Sequence, residues 1–297
     1  MFDLTLSGIL WFLLALFVVF TIISPSLARA SVGRQRAAAI QQIERKRGSR
    51  VIVMIHRQEH VSLLGLPVSR YITIEDSEAV LRAIRLTKPD VPLDIILHTP
   101  GGLVLATEQI AHALVRHKAP VTVMVPHYAM SGGTLLALSS DQIIMDPNAV
   151  LGPVDPQLGP FPARGIVELL ERKDIDKVSD EMLIMGGMAT RALHQVRYSL
   201  TRLLLSNGVE PEKAEQMADI FSSGYWTHDY PISVEEARSL GLAVSEDLPD
   251  EVYQLMDLYP QAADKRPSVS YIPMPYRREG ERTVGGDEPP TRRRSKA

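Results

Sequence analysis

Ser131, followed by Gly132 and Gly133, stands where a nucleophile could serve. A serine hydroxyl attacks a carbonyl only if one group takes its proton and others hold the negative oxygen that results. The β-branched, apolar run Val121–Val125 reads as a buried strand and the apolar run after Gly133 as a helix, so Ser131 projects from the turn between them. The two glycines leave room there for a substrate backbone. A second glycine pair, in His98-Thr99-Pro100-Gly101-Gly102, follows another apolar strand (Leu93, Ile95, Ile96, Leu97) and precedes an apolar-periodic helix from Leu103 to Val115. In an open parallel sheet, ligands bind outside the carboxyl ends of the strands, so both turns should border one crevice. One turn offers a hydroxyl, the other backbone N–H groups for an oxyanion, as acyl transfer requires. Taken singly, each is also what an ordinary N-cap serine or turn glycine looks like; the signal is in the ordered pair.

In that order the motifs resemble the membrane-bound serine peptidases related to signal peptide peptidase A, and most closely the serine dehydrogenase proteinases, which share the ClpP/crotonase fold. The resemblance runs over residues 51–244 and includes Asp146-Pro147, Leu151-Gly152-Pro153, Gly224-Tyr225-Trp226-Thr227 and Ala237-Arg238-Ser239-Leu240-Gly241-Leu242. It implies Ser131 as nucleophile, with an oxyanion hole from the N–H groups of Gly101, Gly102 and Gly132. Clp-type relatives carry a histidine in the region here occupied by Asp155 and Pro156, and no histidine lies between His127 and His194. A Ser-His-Asp triad of that build is therefore not expected. In the signal peptide peptidase branch the base is a lysine shortly before a long helix, which makes Lys173 the counterpart, with Lys177 in reserve. Their setting, Glu171-Arg172-Lys173-Asp174-Ile175-Asp176-Lys177, equally suits solvated ion pairs. His98 and His127 are the next candidates. Relatives assemble into rings, so the resemblance also implies a homo-oligomer.

A competing motif lies earlier. His56-Arg57-Gln58-Glu59-His60 fits the H-x-x-E-H pattern of some zinc peptidases, which works only on a helix. Here a strand precedes it and Gly65 and Pro67 follow, so a polar loop is expected, with Val61–Val68 as a flap near the sheet edge or membrane. Neither a metal nor a cofactor is called for. The absence of cysteine excludes disulfides and thiol catalysis, and the formal charge of −3 argues against non-specific nucleic-acid binding.

Positioning these residues takes alternating strands and helices, hence an α/β domain with mainly parallel pairing and flanking helices. The expected elements are strands at Val51–Ile55, Tyr71–Ile74, Leu93–Leu97, Val121–Val125 and Gln142–Met145. A helix capped by Asp76 or Ser77 runs to Leu86, and a period-free, proline-rich stretch over residues 147–162 should wall the substrate groove. A long helix over Asp180–Ser206 carries an apolar stripe suited to core or subunit contact. Beyond it come a helix from Pro211 to Phe221, a short strand at Tyr225–Thr227 with Trp226 packed inward, and a helix from Val234 to Leu240 ended by Gly241.

The ends differ from the body. Residues 4–28 contain no charged side chain and suffice to span a bilayer; the alternative is a signal peptide, with Ala28-Arg29-Ala30 as cleavage site, but Met1-Phe2-Asp3 supplies no basic residue for it. Basic residues crowd the other flank, at Arg29, Arg34, Arg36, Arg45, Lys46, Arg47 and Arg50, which places the body in the cytoplasm. Residues 29–50 thus read as a basic juxtamembrane helix, either lying on anionic lipid or solvated, residues 51–260 as the peptidase domain, and residues 261–297 as a disordered charged tail. The whole reads as a single-pass, membrane-anchored serine peptidase acting on peptides or membrane proteins through a Ser-Lys dyad. Its rivals are an inactive membrane scaffold of the same fold and a crotonase-like acyl-CoA enzyme, which would use equivalent N–H groups on a thioester.

Overall fold

Alternate side chains of the central strands point to opposite faces of a pleated backbone and are buried on both, and this sets the architecture. The computed structural model describes residues 24–56 and 71–259, with a few positions between 11 and 21. Among them the strands are Arg50–Ile55 (β1), Leu93–His98 (β2), Val121–Val125 (β3), Tyr128–Ala129 (β4), Gln142–Met145 (β5), Val150–Leu151 (β6), Gln157–Leu158 (β7), Phe161–Pro162 (β8) and Val244–Ser245 (β9). A parallel sheet pairs them in the order β1, β2, β3, β5, β9. Ile52, Met54, Ile95, Leu97, Val123, Val125, Ile143 and Met145 face one side, against the helices Ile74–Arg85, Val104–Val115, Gly132–Leu138, Asp180–Ser206 and Pro211–Ser222. Val51, Ile96, Met124 and Ile144 face the other, against Ile43 of the helix Ser24–Arg47 and Val252 and Leu255 of the helix Asp250–Asp257. Covered on both faces, β2 and β3 are buried along their full length, as expected of a parallel interior.

Ser24–Arg47 does more than lead into the domain. Arg36 donates to the Leu258 carbonyl at 2.7 Å and lies 3.8 Å over the Tyr259 ring. Lys46 pairs with Glu251 at 2.8 Å, and Arg47 forks onto the buried Asp94, which Ser49 also holds. Three of the basic side chains that sequence assigned to lipid or solvent thus fasten this helix, Arg47 to the sheet and Arg36 and Lys46 to the Asp250–Asp257 helix and the residues after it, and Ile43 makes it part of the core. The packed unit accordingly begins before residue 51. No helix among the described residues is long and apolar enough to cross a membrane. The expected span at 4–28 lies largely outside those residues, and positions 57–60 of the H-x-x-E-H motif, the 61–68 flap and the 261–297 tail lie wholly outside them.

Elsewhere the structure adjusts boundaries for identifiable reasons. Ile72 makes a single parallel bridge to Gly102 instead of a strand over Tyr71–Ile74, because Thr73 already caps the next helix. That cap is a reciprocal box in which Thr73 and Asp76 satisfy each other's backbone N–H, so Asp76 is the third helical residue and not the cap. The helix Ala163–Arg172 was not foreseen; no side chain caps its start. Tyr225–Thr227 is a bend, with Trp226 stacked on Tyr230 at 5.2 Å and set edge-on to Phe221. The long-helix stripe divides: Val196, Leu200, Leu203 and Leu204 are core, whereas Met188 is exposed.

A second, shorter tier of pairing lies at the carboxyl ends of the sheet. Thr99 bridges Ala129, β4 pairs with β6, and Leu151 of β6 bridges Ile232. Segments far apart in sequence are thereby laid side by side at the edge where parallel sheets bind ligands.

Candidate active site

Ser131 has φ 48° and ψ −114°, the one positive φ at a non-glycine residue among those described. Such a conformation costs about 1–3 kcal/mol and persists only where surroundings enforce it. Its side chain caps nothing, although Ser131 immediately precedes the helix Gly132–Leu138, so the hydroxyl is not engaged as an N-cap. Gly101, at φ 108°, packs so closely that a Cβ there would stand 2.8 Å from that of Ser131. A Cβ at Gly102 would collide with the Ile72 backbone. The two glycine turns therefore meet, as their order in the sequence suggested.

A cavity of about 270 Å³ opens beside them, lined among others by Gly102, Ser131, Gly132, Asp155 and His228. Gly102 and Gly132 both border it, whereas the Gly101 N–H donates to Thr99 Oγ1 at 3.2 Å. Of the three glycines expected to form an oxyanion hole, Gly102 and Gly132 line the cavity that Ser131 borders, and Gly101 shapes the turn. A neighbouring cavity of about 540 Å³ shares Val104, Glu108, Pro156, Gln157 and Val196 with the first, so the space continues as a groove between the helix Val104–Val115, the β7–β8 segment and the long helix. The proline-rich stretch forms its wall, as its composition suggested.

Neither expected lysine borders this cavity. Lys173 is exposed at the end of Ala163–Arg172, and Lys177 forms a solvent-exposed pair with Asp174 at 2.7 Å. His98 is fully buried and stacks on His127 at 5.5 Å, and neither lines the cavity. The histidine that does is His228. Its Nδ1 lies 2.7 Å from Asp155 Oδ1, and Gln157 donates to the other carboxylate oxygen. A carboxylate only accepts, so Nδ1 carries a proton, and Nε2 has a lone pair to offer when the ring is neutral. The hydrogen bond to Asp155 raises the His228 pKa above its ordinary value, against the opposing effect of burial. Leu151–Ile232 pairing brings this histidine in, since it holds the segment after the bend against β6, just before Asp155. Sequence reasoning passed over His228 by looking for a histidine close behind the serine.

The sequence matches the ClpP-like SDH-type serine proteinases over residues 2–284. The chain belongs to that family. The chain is 50% identical over 276 residues to an uncharacterized protein of Methanocaldococcus jannaschii, covering 93% of each chain. Among solved structures it resembles a variant of the 1510-N membrane-bound stomatin-specific protease, at 23% identity and a TM-score of 0.43 over 62% of this chain and 79% of that one. It also resembles ClpP1 of Listeria monocytogenes, at 17% identity and a TM-score of 0.40 over 67% and 92% of the two chains.

Proposed function

We propose that this proteinase-family chain hydrolyses peptide bonds with Ser131 as nucleophile, His228 as general base and Asp155 as its orienter. The observation that carries the reading is one cavity bordered by Ser131 and by a histidine whose Nδ1 is held 2.7 Å from a buried carboxylate. With Nδ1–H committed to Asp155, Nε2 is the atom that takes the serine proton and later returns it to the leaving amine. The N–H groups of Gly102 and Gly132 stabilise the oxyanion that forms as the Ser131 hydroxyl adds to the scissile carbonyl. Water then repeats the sequence on the acyl-enzyme. The continuous groove beyond Glu108 suits an extended chain better than a single small acyl group.

A second reading keeps the Ser-Lys dyad, with the lysine delivered by another copy of the chain. What favours it is the exposure of Lys173, which has no hydrogen bond or ion pair among the described residues, whereas Lys177 is tied to Asp174. A homo-oligomer is supported by the apolar side chains that the long helix leaves in solvent, Ile184 and Met188 one turn apart. The anchor at residues 4–28 and a cytoplasmic domain rest on the uncharged span and the basic flank behind it.

The test is labelling by a fluorophosphonate probe together with peptide turnover, in wild type, Ser131→Ala, His228→Ala and Lys173→Ala. Loss of both signals in the first two variants and retention in the third is expected. Loss in Lys173→Ala with retention in His228→Ala would establish the dyad instead, and an unlabelled wild type would establish the scaffold. Protection of the domain from protease added outside intact cells tests its placement.

A further inference from the structure

The peptide between Gly101 and Gly102 decides whether Ser131 has an oxyanion hole. The Gly101 carbonyl accepts from the Ile72 N–H at 2.7 Å. In a trans peptide the carbonyl and the following N–H point in opposite directions, so this bond turns the Gly102 N–H away from Ile72 and toward the cavity. A rotated peptide would instead aim a carbonyl oxygen at the developing negative charge. With no Cβ on either side, this peptide is little restrained by side-chain sterics. Its hydrogen bonds must hold it.

Those bonds form a closed circuit. The Gly101 N–H donates to Thr99 Oγ1 at 3.2 Å, and that oxygen also lies 3.3 Å from the Gly101 carbonyl and 2.9 Å from His56 Nδ1. On the other side of the ring, His56 Nε2 stands 3.3 Å from Asp76 Oδ2. The same carboxylate oxygen accepts from the Thr73 N–H at 2.8 Å, and Thr73 follows Ile72, whose carbonyl in turn accepts from Leu103 N–H at 2.9 Å. The one Thr99 hydroxyl proton has two acceptors in reach, the Gly101 carbonyl and His56 Nδ1, so the imidazole, whose Nε2 faces Asp76, bears on how that hydroxyl is turned. Thr99 and Ile72 are fully buried and His56 nearly so, which strengthens such a network and makes each missing member costly.

We propose that His56, together with Asp76, is a positioning residue for catalysis. Through Thr99 and Ile72 it holds both polar ends of Gly101, so that the Gly102 N–H faces the carbonyl attacked by Ser131. The inference rests on the peptidase reading, which loss of turnover in Ser131→Ala tests separately. His56 touches no substrate; it acts through the oxyanion donor, which binds the transition state and not the ground state.

The experiment is steady-state hydrolysis by the full chain carrying His56→Ala, and by Thr99→Val, which removes the hydroxyl at nearly constant shape. For each, kcat is expected to fall about 100-fold with KM little changed, the loss typical of one oxyanion donor. Affinity for a peptide aldehyde, which forms the oxyanion on Ser131, should fall by the same factor, while affinity for a product peptide stays put. His56→Asn, whose amide can receive the Thr99 hydroxyl, should recover part of kcat. Should His56→Ala fail to fold, Thr99→Val decides alone. Unchanged kcat in a folded variant, or equal losses for aldehyde and product, would overturn the proposal.

Discussion

Asp155 and His228, 73 positions apart in the chain, share a 2.7 Å hydrogen bond at the edge of the Ser131 cavity. The carboxylate is buried and the imidazole partly open. Charge on His228 is therefore favoured, and its ring still borders the cavity that Ser131 lines.

A pH profile reads this pair directly. A base must be neutral to accept a proton, so kcat/KM should rise with pH and level off only above the reference histidine value of about 6.5. Asp155→Asn removes the main cause of the upward shift, so its acidic limb should move to lower pH while its plateau drops roughly 10³–10⁴-fold. Stability should follow the opposite course. Because the folded pKa is raised, the stabilisation from charged His228 is complete below about pH 6.5 and lost as pH rises through the folded value. Urea titrations of wild type and Asp155→Asn should therefore converge toward alkaline pH.

His228→Ala and the lysine variants separate the two candidate bases. Turnover by His228→Ala is expected to fall at least about 10³-fold, while Lys177→Ala, whose partner Asp174 stands in solvent, should match wild type. A plateau that is absent below pH 9 would point to a lysine.

The strain at Ser131 is measurable as heat stability. Ser131→Ala loses no capping bond and should melt with wild type. Ser131→Gly relaxes the positive φ and is expected to gain about 1 kcal/mol, seen by calorimetry as roughly 2–4 °C, with hydrolysis abolished in both. Equal melting points for the alanine and glycine variants would mean that the turn is unstrained.

Arg47→Ala tests whether the N-terminal helix is a working layer of the domain. It leaves the buried Asp94 with Ser49 as its remaining side-chain partner, and a buried charge stripped of its ion pair costs about 3–5 kcal/mol. Arg34→Ala, which breaks no ion pair among the described residues, should change denaturant midpoints little.

Much of the fold was legible because its signals are local. The β-branched, mainly apolar runs at Val121–Val125 and Gln142–Met145 name buried strands, and Gly101, Gly102, Gly132 and Gly133 mark the turns where two backbones crowd together. Ser131 followed from those turns. His228 did not, because a histidine in a segment with no regular structure carries no period, and its place depends on pairing between Leu151 and Ile232. His56 was legible as a polar residue after a strand, at the head of a zinc-like pattern that the sequence context argued against; its contact to Thr99 is made across neighbouring strands. Nor could charge alone tell a lipid-facing arginine from Arg36 or Arg47, since the carbonyl and carboxylate they hold come from distant elements.

The bridge between Leu151 and Ile232 also has a consequence for biosynthesis. A ribosome releases Ser131 and both glycine turns long before it reaches His228, and chains emerge at only about 5–20 residues per second. Until Ile232 has docked on β6, the serine faces a cavity without its histidine. On the triad reading the unfinished polypeptide is therefore inert toward its neighbours, and toward itself, without any inhibitory segment to be cut away afterwards.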